Sequence, residues 1–181
     1  CIMRCFIAIE LPEDVKAKIF HEFETLKKKN LFGGKYVEKE SLHLTMRFLG
    51  ELNLEQINET KKKIKEIAFP KFICEIGKSG FFDNEKRINV LWVEVISKYL
   101  EPLEKKVAEN FSWFSSDYKK FSPHITTARV EYINDRKGLI ENVKNIHLKN
   151  TRFEVEKMVL MKSEMTRSGI KYKILESVMF T

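Results

Sequence analysis

Cysteine is scarce: the 181 residues hold three, Cys1, Cys5 and Cys74. An odd count without metal-type spacing indicates neither a disulfide framework nor a zinc site, and it fits a reducing, cytoplasmic setting. Cys5 and Cys74 lie in apolar runs and read as small buried hydrophobes. Proline and glycine are also few, at four and seven, and no Gly/Ser-rich or low-complexity tract divides the chain, which argues against independent domains. The first apolar stretch is interrupted at Arg4 and is too brief for a signal peptide or a membrane span, so no membrane partner is expected. Met3 is a candidate for the natural start, with Cys1 and Ile2 as a leader.

Acidic residues are outnumbered by basic ones, 26 to 33. The net charge of +7 and pI near 9.2 favour an anionic partner, because summed positive potential concentrates polyanions locally. With 43% hydrophobic residues, a chain of this length can bury a substantial core as one domain of two lobes.

Periodicity outlines the elements. Met3 to Leu11 reads as a strand, and Pro12-Glu13-Asp14 starts a helix with Val15, Ile19, Phe23 and Leu26 on one face, ending before Gly33-Gly34. A strand from His43 ends at Gly50, and a helix marked by Leu54, Ile57, Ile64 and Ile67 is closed by Pro70. Phe72 to Phe82 and Arg87 to Val95 form a hairpin through Asp83-Asn84-Glu85-Lys86. A helix using Leu100, Leu103, Val107, Phe111 and Phe114 precedes a second His-bearing strand after Ser122-Pro123. A helix near Asp135 to Ile146 and two terminal strands, Phe153 to Lys162 and Ile170 to Phe180, complete the chain. A His-x-Thr strand, a helix and a strand pair thus occur twice. The expected fold is α+β and bilobal: two pseudo-symmetric antiparallel sheets, helices outside, and a central cleft to which each lobe gives one motif.

The motifs are His43-Leu44-Thr45-Met46-Arg47-Phe48 and, 81 residues later, His124-Ile125-Thr126-Thr127-Ala128-Arg129. In a strand, residues two apart share a face, so each imidazole projects beside a hydroxyl. With eight threonines in the chain, two such matches arise by chance in roughly 1% of cases. Across a phosphodiester, one neutral imidazole can take a proton from an attacking oxygen while the other, protonated, gives one to the leaving oxygen. Thr45 and Thr126 can donate to the non-bridging oxygens, and no metal or other cofactor is needed. Strand parity puts Arg47 on the face of His43 and Thr45. It puts Arg129 on the face opposite His124 unless a bulge re-aims it, and Phe48 in the core. Trp92 and Tyr172 read as core residues, and His21 and His147, without a threonine partner, as surface.

HLTMRFLG and SPHITTAR resemble the signature of the two-histidine phosphoesterase superfamily. The opening RCFIAIELP, the central RINVLWVEV and the ending MKSEMTRSGIKYKILES make the chain more similar to its LigT-like branch of RNA 2′,3′-cyclic phosphodiesterases, also named 2′-5′ RNA ligases. The resemblance implies a bilobal fold with a basic cleft, and metal-free opening of an RNA terminal 2′,3′-cyclic phosphate to a 2′-phosphate. It implies His124 as base and His43 as acid, Thr45, Thr126 and Arg129 on the phosphate, and Phe48 packing the terminal base, while Arg47 is expected on the substrate from its strand parity. The expected partner is RNA with a cyclic phosphate end, tRNA fragments included, acted on by a cytoplasmic monomer. The alternatives are 2′-5′ ligation as the main role, disfavoured because water is at about 55 M, and a catalytically silent RNA-binding module.

Overall fold

The computed structural model describes residues 1–84, 87–112 and 120–181. Glu85 and Lys86 of the expected hairpin turn, and Phe114 of the expected helix face, lie outside the described residues. The chain runs β1 (Ile2–Glu10), α1 (Glu13–Lys27), β2 (Phe32–Tyr36), a 3₁₀ turn (Lys39–Ser41), β3 (His43–Asn53), α2 (Leu54–Lys65), β4 (Phe72–Asn84), β5 (Arg87–Ile96), α3 (Leu100–Asn110), β6 (His124–Ile133), α4 (Arg136–Lys144), β7 (Arg152–Val155), β8 (Lys157–Thr166) and β9 (Gly169–Met179).

Two antiparallel sheets result, ordered β3-β1-β8-β9 and β2-β6-β5-β4-β7. Apart from β2, they correspond strand for strand: a motif strand, its inner partner, then two more. The expected pair of antiparallel lobes is therefore present, with α1 burying Val15, Ile19, Phe23 and Leu26 as its spacing predicts. Helix ends follow local chemistry. Asn53 and Gln56 form a reciprocal capping box at α2, each side chain accepting the other's backbone N–H at 2.9 Å, and Asp135 caps α4 through the N–H of Gly138 at 2.9 Å. Alternation in β1 splits its side chains: Cys5, Ile7 and Ile9 enter the main core, while Phe6 and Ala8 join Val159 and Met161 in a smaller cluster, flanked by Tyr172, on the opposite face.

As expected, α1 stops before Gly33-Gly34, at Lys27. The glycines sit inside edge strand β2, where Gly33 lets Tyr132 lie against the backbone. A Cβ at Gly33 would come within 2.1 Å of the Tyr132 ring. Two expectations change. Gly50 does not end its strand. It sits at φ +83° beside a bulge where Cys5 pairs with Gly50 and Phe6 with Phe48, and β3 continues to Asn53. The expected strand Phe153 to Lys162 is two strands in different sheets, β7 beside β4 and β8 beside β1, with the crossing at Glu156.

Candidate active site

Each motif strand carries a bulge one residue after its threonine. On β3, Ala8 pairs with Thr45 and Ile7 with Arg47, leaving Met46 as the extra residue; on β6, Trp92 pairs with Thr126 and Leu91 with Ala128, leaving Thr127. One inserted residue reverses the alternation beyond it. Burial follows the bulge identically in both strands. Met46-Arg47 and Thr127-Ala128 are buried, and the next residues, Phe48 and Arg129, are exposed on the face of the imidazole and threonine. Phe48 and Arg129 are thus equivalent positions of the two lobes.

This corrects all three parity expectations. Arg47 does not share the face of His43. It is 6% exposed and pairs at 3.6 Å with Glu104 of α3, itself 9% exposed, so it braces the back of β3. Burial raises the Glu104 pKa while the Arg47 charge pulls it down. Arg129, conversely, is re-aimed to the cleft side, and its charge is felt at Tyr172 of the other lobe. Phe48 is not a core residue: it is 61% exposed, with its ring 6.0 Å from that of Phe6.

The imidazoles are pinned alike. His43 Nδ1 lies 2.7 Å from the carbonyl of Ser41, and His124 Nδ1 lies 2.7 Å from the carbonyl of Ser122. A carbonyl only accepts, so each Nδ1 carries its hydrogen and each Nε2 is left for chemistry. The Thr45 hydroxyl can donate to His43 Nε2 at 3.0 Å. His43 sits among rings, with Phe6 at 5.0 Å and Tyr172 edge-on at 4.9 Å, while Phe82 meets His124 edge-on at 4.7 Å and packs on Trp92. Burial lowers the His43 pKa. The Ser41 carbonyl opposes this, and the charges of Lys16 and His124 push it further down, so the two motifs are electrostatically coupled across the lobes.

The structure brings His43, Thr45 and Phe48 from one lobe together with His124, Thr126 and Arg129 from the other, and it leaves Arg47 out. It also adds Tyr172, expected in the core but set edge-on against His43. Two signals in the chain pointed at this symmetry. A serine precedes each histidine by two residues, and Ile7-Ala8-Ile9-Glu10 is matched by Leu91-Trp92-Val93-Glu94, which place Glu10 opposite His43 and Glu94 opposite His124 in the ladders. Among the described residues, no three His, Cys, Asp or Glu side chains form a group able to hold a metal ion.

A bilobal α+β frame presenting an imidazole and a threonine hydroxyl from each half defines a two-histidine phosphoesterase. The chain belongs to the LigT-like phosphoesterase family, whose model matches residues 9–92. It is 32% identical over 180 residues to the RNA 2′,3′-cyclic phosphodiesterase of Methanocaldococcus jannaschii, with 96% of this chain and 99% of the relative covered. It is 32% identical over 186 residues to the protein of the same name from Thermotoga maritima, with 98% and 96% covered. Among solved structures, TT0787 of Thermus thermophilus superposes with a TM-score of 0.84 at 25% identity, covering 98% of this chain and 97% of that one. Escherichia coli LigT complexed with 3′-AMP shares the fold at a TM-score of 0.78 and 23% identity, covering 99% and 98%.

Proposed function

We propose that this phosphoesterase hydrolyses the terminal 2′,3′-cyclic phosphate of RNA to a 2′-phosphate, without a metal, working as one domain whose two lobes share the site. The observation that carries the reading is the pair of imidazoles, each held at Nδ1 by a backbone carbonyl and so offering Nε2, with the Thr45 hydroxyl 3.0 Å from that of His43 and Arg129 on the face of His124. The names of the relatives supply the substrate class, and the net charge of +7 suits a polyanion.

In this reading His124 takes a proton from water as the water oxygen attacks phosphorus. The P–O3′ bond breaks, and His43 Nε2–H protonates the departing O3′. Thr45, Thr126 and Arg129 hold the non-bridging oxygens, whose charge grows in the transition state. The depressed pKa of His43 fits the acid role, because an imidazolium that burial disfavours gives up its proton readily, and the bound phosphate anion favours its protonation before reaction. Phe48 packs the terminal base, a contact worth about 1–3 kcal/mol that tolerates any base. Ligation of the cyclic end to a 5′-hydroxyl is the same chemistry with RNA in place of water and is a side activity here.

The test is incubation of short RNAs ending in a 2′,3′-cyclic phosphate, in excess chelator, with identification of the product end. A 2′-phosphate is expected, and His43→Ala and His124→Ala should each abolish its formation. A substrate with sulfur at the 3′ bridging position hardly needs protonation on leaving, so it should rescue His43→Ala and not His124→Ala. Near wild-type cleavage by either variant on the oxygen substrate would overturn the reading, and the opposite pattern of rescue would reverse the two roles.

A further inference from the structure

Lys16 puts a positive charge where α1 gives no reason for one. Its N–H closes the first turn of that helix on the Pro12 carbonyl at 3.0 Å, so it stands near the positive end of the helix dipole, which favours the carboxylates of Glu13 and Asp14 and disfavours an ammonium. It is also 7% exposed, among the buried residues of α1, and a lysine is almost never buried unless its charge is paired.

What the ammonium reaches is the approach to His43. Lys16 Nζ lies 3.4 Å from the carbonyl of Glu40, to which it can donate, and 3.6 Å from one carboxylate oxygen of Glu13; the other Glu13 oxygen lies 3.6 Å from Lys39 Nζ. Lys39 and Glu40 belong to the 3₁₀ turn, closed on itself by Ser41 N–H to the Glu38 carbonyl at 2.9 Å and Leu42 N–H to the Lys39 carbonyl at 3.3 Å. Such a turn has poorer hydrogen-bond geometry than an α-helix, and Lys16 and Glu13 tie its first two residues to α1. The next carbonyl along is that of Ser41, which holds His43 Nδ1 at 2.7 Å.

We propose that Lys16 is a positioning residue for His43: it clamps the 3₁₀ turn to α1 and so fixes the Ser41 carbonyl that sets the tautomer and aim of the imidazole. The proposal rests on the reading of His43 as the acid. The same ammonium acts on the charge of that imidazole, because the His43 pKa is lowered first by burial and then further by the charges of Lys16 and His124. The other charged or titratable groups facing His43 are Glu10, opposite it on β1 and paired at 3.1 Å with Lys157 of β8, Tyr172 of β9, and Arg129 of β6, whose charge reaches Tyr172.

The test compares Lys16→Met, which keeps the length of the side chain and removes its charge and donors, with Lys16→Arg, which keeps both. Imidazole ¹⁵N spectra of the whole chain read the tautomer and titration of His43, and cleavage is measured on RNAs with oxygen or sulfur at the 3′ bridging position. Neutral His43 should carry its hydrogen on Nδ1 in the wild type. In Lys16→Met the two tautomers should mix, and the titration should move upward because a positive charge has gone. On the oxygen substrate kcat/KM should fall about tenfold, and on the sulfur substrate, which hardly needs an acid, it should stay within about twofold of wild type. Lys16→Arg should restore most of both. Wild-type tautomer and titration of His43 in Lys16→Met would overturn the proposal, and with a lowered Tm would make Lys16 a residue of the core alone. Equal losses on the two substrates would overturn it as well. The spectra need no substrate, so they judge the clamp independently of cyclic-phosphate cleavage, which judges the reading beneath it.

Discussion

Replacing Arg47 by Met should harm stability and spare catalysis. The guanidinium and the Glu104 carboxylate are about one-tenth exposed and lie 3.6 Å apart, so removing the guanidinium strands the carboxylate in a poorly solvated place. Breaking a buried pair from one side typically costs about 3–5 kcal/mol, and the separation and residual exposure of this one point to the lower end, about 3 kcal/mol. For a domain of this size each kcal/mol moves Tm by about 2–4 °C, so a drop of about 6–12 °C is expected for Arg47→Met and a smaller one for Glu104→Leu. The double variant should recover most of the loss, because an apolar pair of similar volume dispenses with two desolvated charges. Denaturant unfolding of the four proteins gives the coupling energy. Cleavage of a cyclic-phosphate RNA below the lowest Tm should stay within a few-fold of wild type in all of them. A hundredfold loss of kcat/KM in Arg47→Met with an unchanged Tm would refute the placement of this side chain behind β3.

Arg129→Ala should show the converse, a fall in kcat/KM of about 10²–10³ with Tm unchanged, because it removes a charge from the exposed face of β6 and no core contact. Acid should weaken the fold through His43. Burial lowers its pKa below the ordinary 6.5, so the unfolded chain binds the proton more tightly. The stability that neutral His43 confers is whole above pH 6.5 and is lost as pH falls through 6.5 towards the folded value. Urea unfolding between pH 5 and 8 should therefore fall more steeply with acid for the wild type than for His43→Gln. In the folded protein, His124→Ala should move the His43 titration upward, read by imidazole ¹⁵N shifts, since the His124 charge is one of those holding it down.

Much of the fold is legible in the chain because it rests on signals carried within one element. Val15, Ile19, Phe23 and Leu26 mark α1 at helical spacing, and the two His-x-Thr strands announce two lobes. What escapes reading depends on a partner strand. The bulges at Met46 and Thr127 exist only as a mismatch between paired strands, and strict alternation within one strand cannot see them. This is why parity sent Arg47 to the cleft and Phe48 to the core, whereas resemblance set Arg129 and Phe48 on the cleft side, where the bulges put them. Strand β2 carries two glycines among its five residues and so lacks a strand-like composition. The change of sheet at Glu156 leaves no mark because Phe153 to Lys162 is a continuous strand-like run on both sides of it.

That change of sheet has a kinetic consequence. Because β8 enters the first sheet beside β1, Ala8 is hydrogen-bonded in register with Val159, more than 150 residues along the chain. Closing so long a loop is entropically costly, and folds dominated by distant pairings form slowly. During synthesis, β1 and β3 leave the ribosome long before β8 and β9 can join them, with the inner edge of β1 unpaired and open to association with other chains. The ring of Tyr172 beside His43 comes from the last strand to join. Acquisition of activity in a refolding experiment should accordingly lag behind formation of the helices.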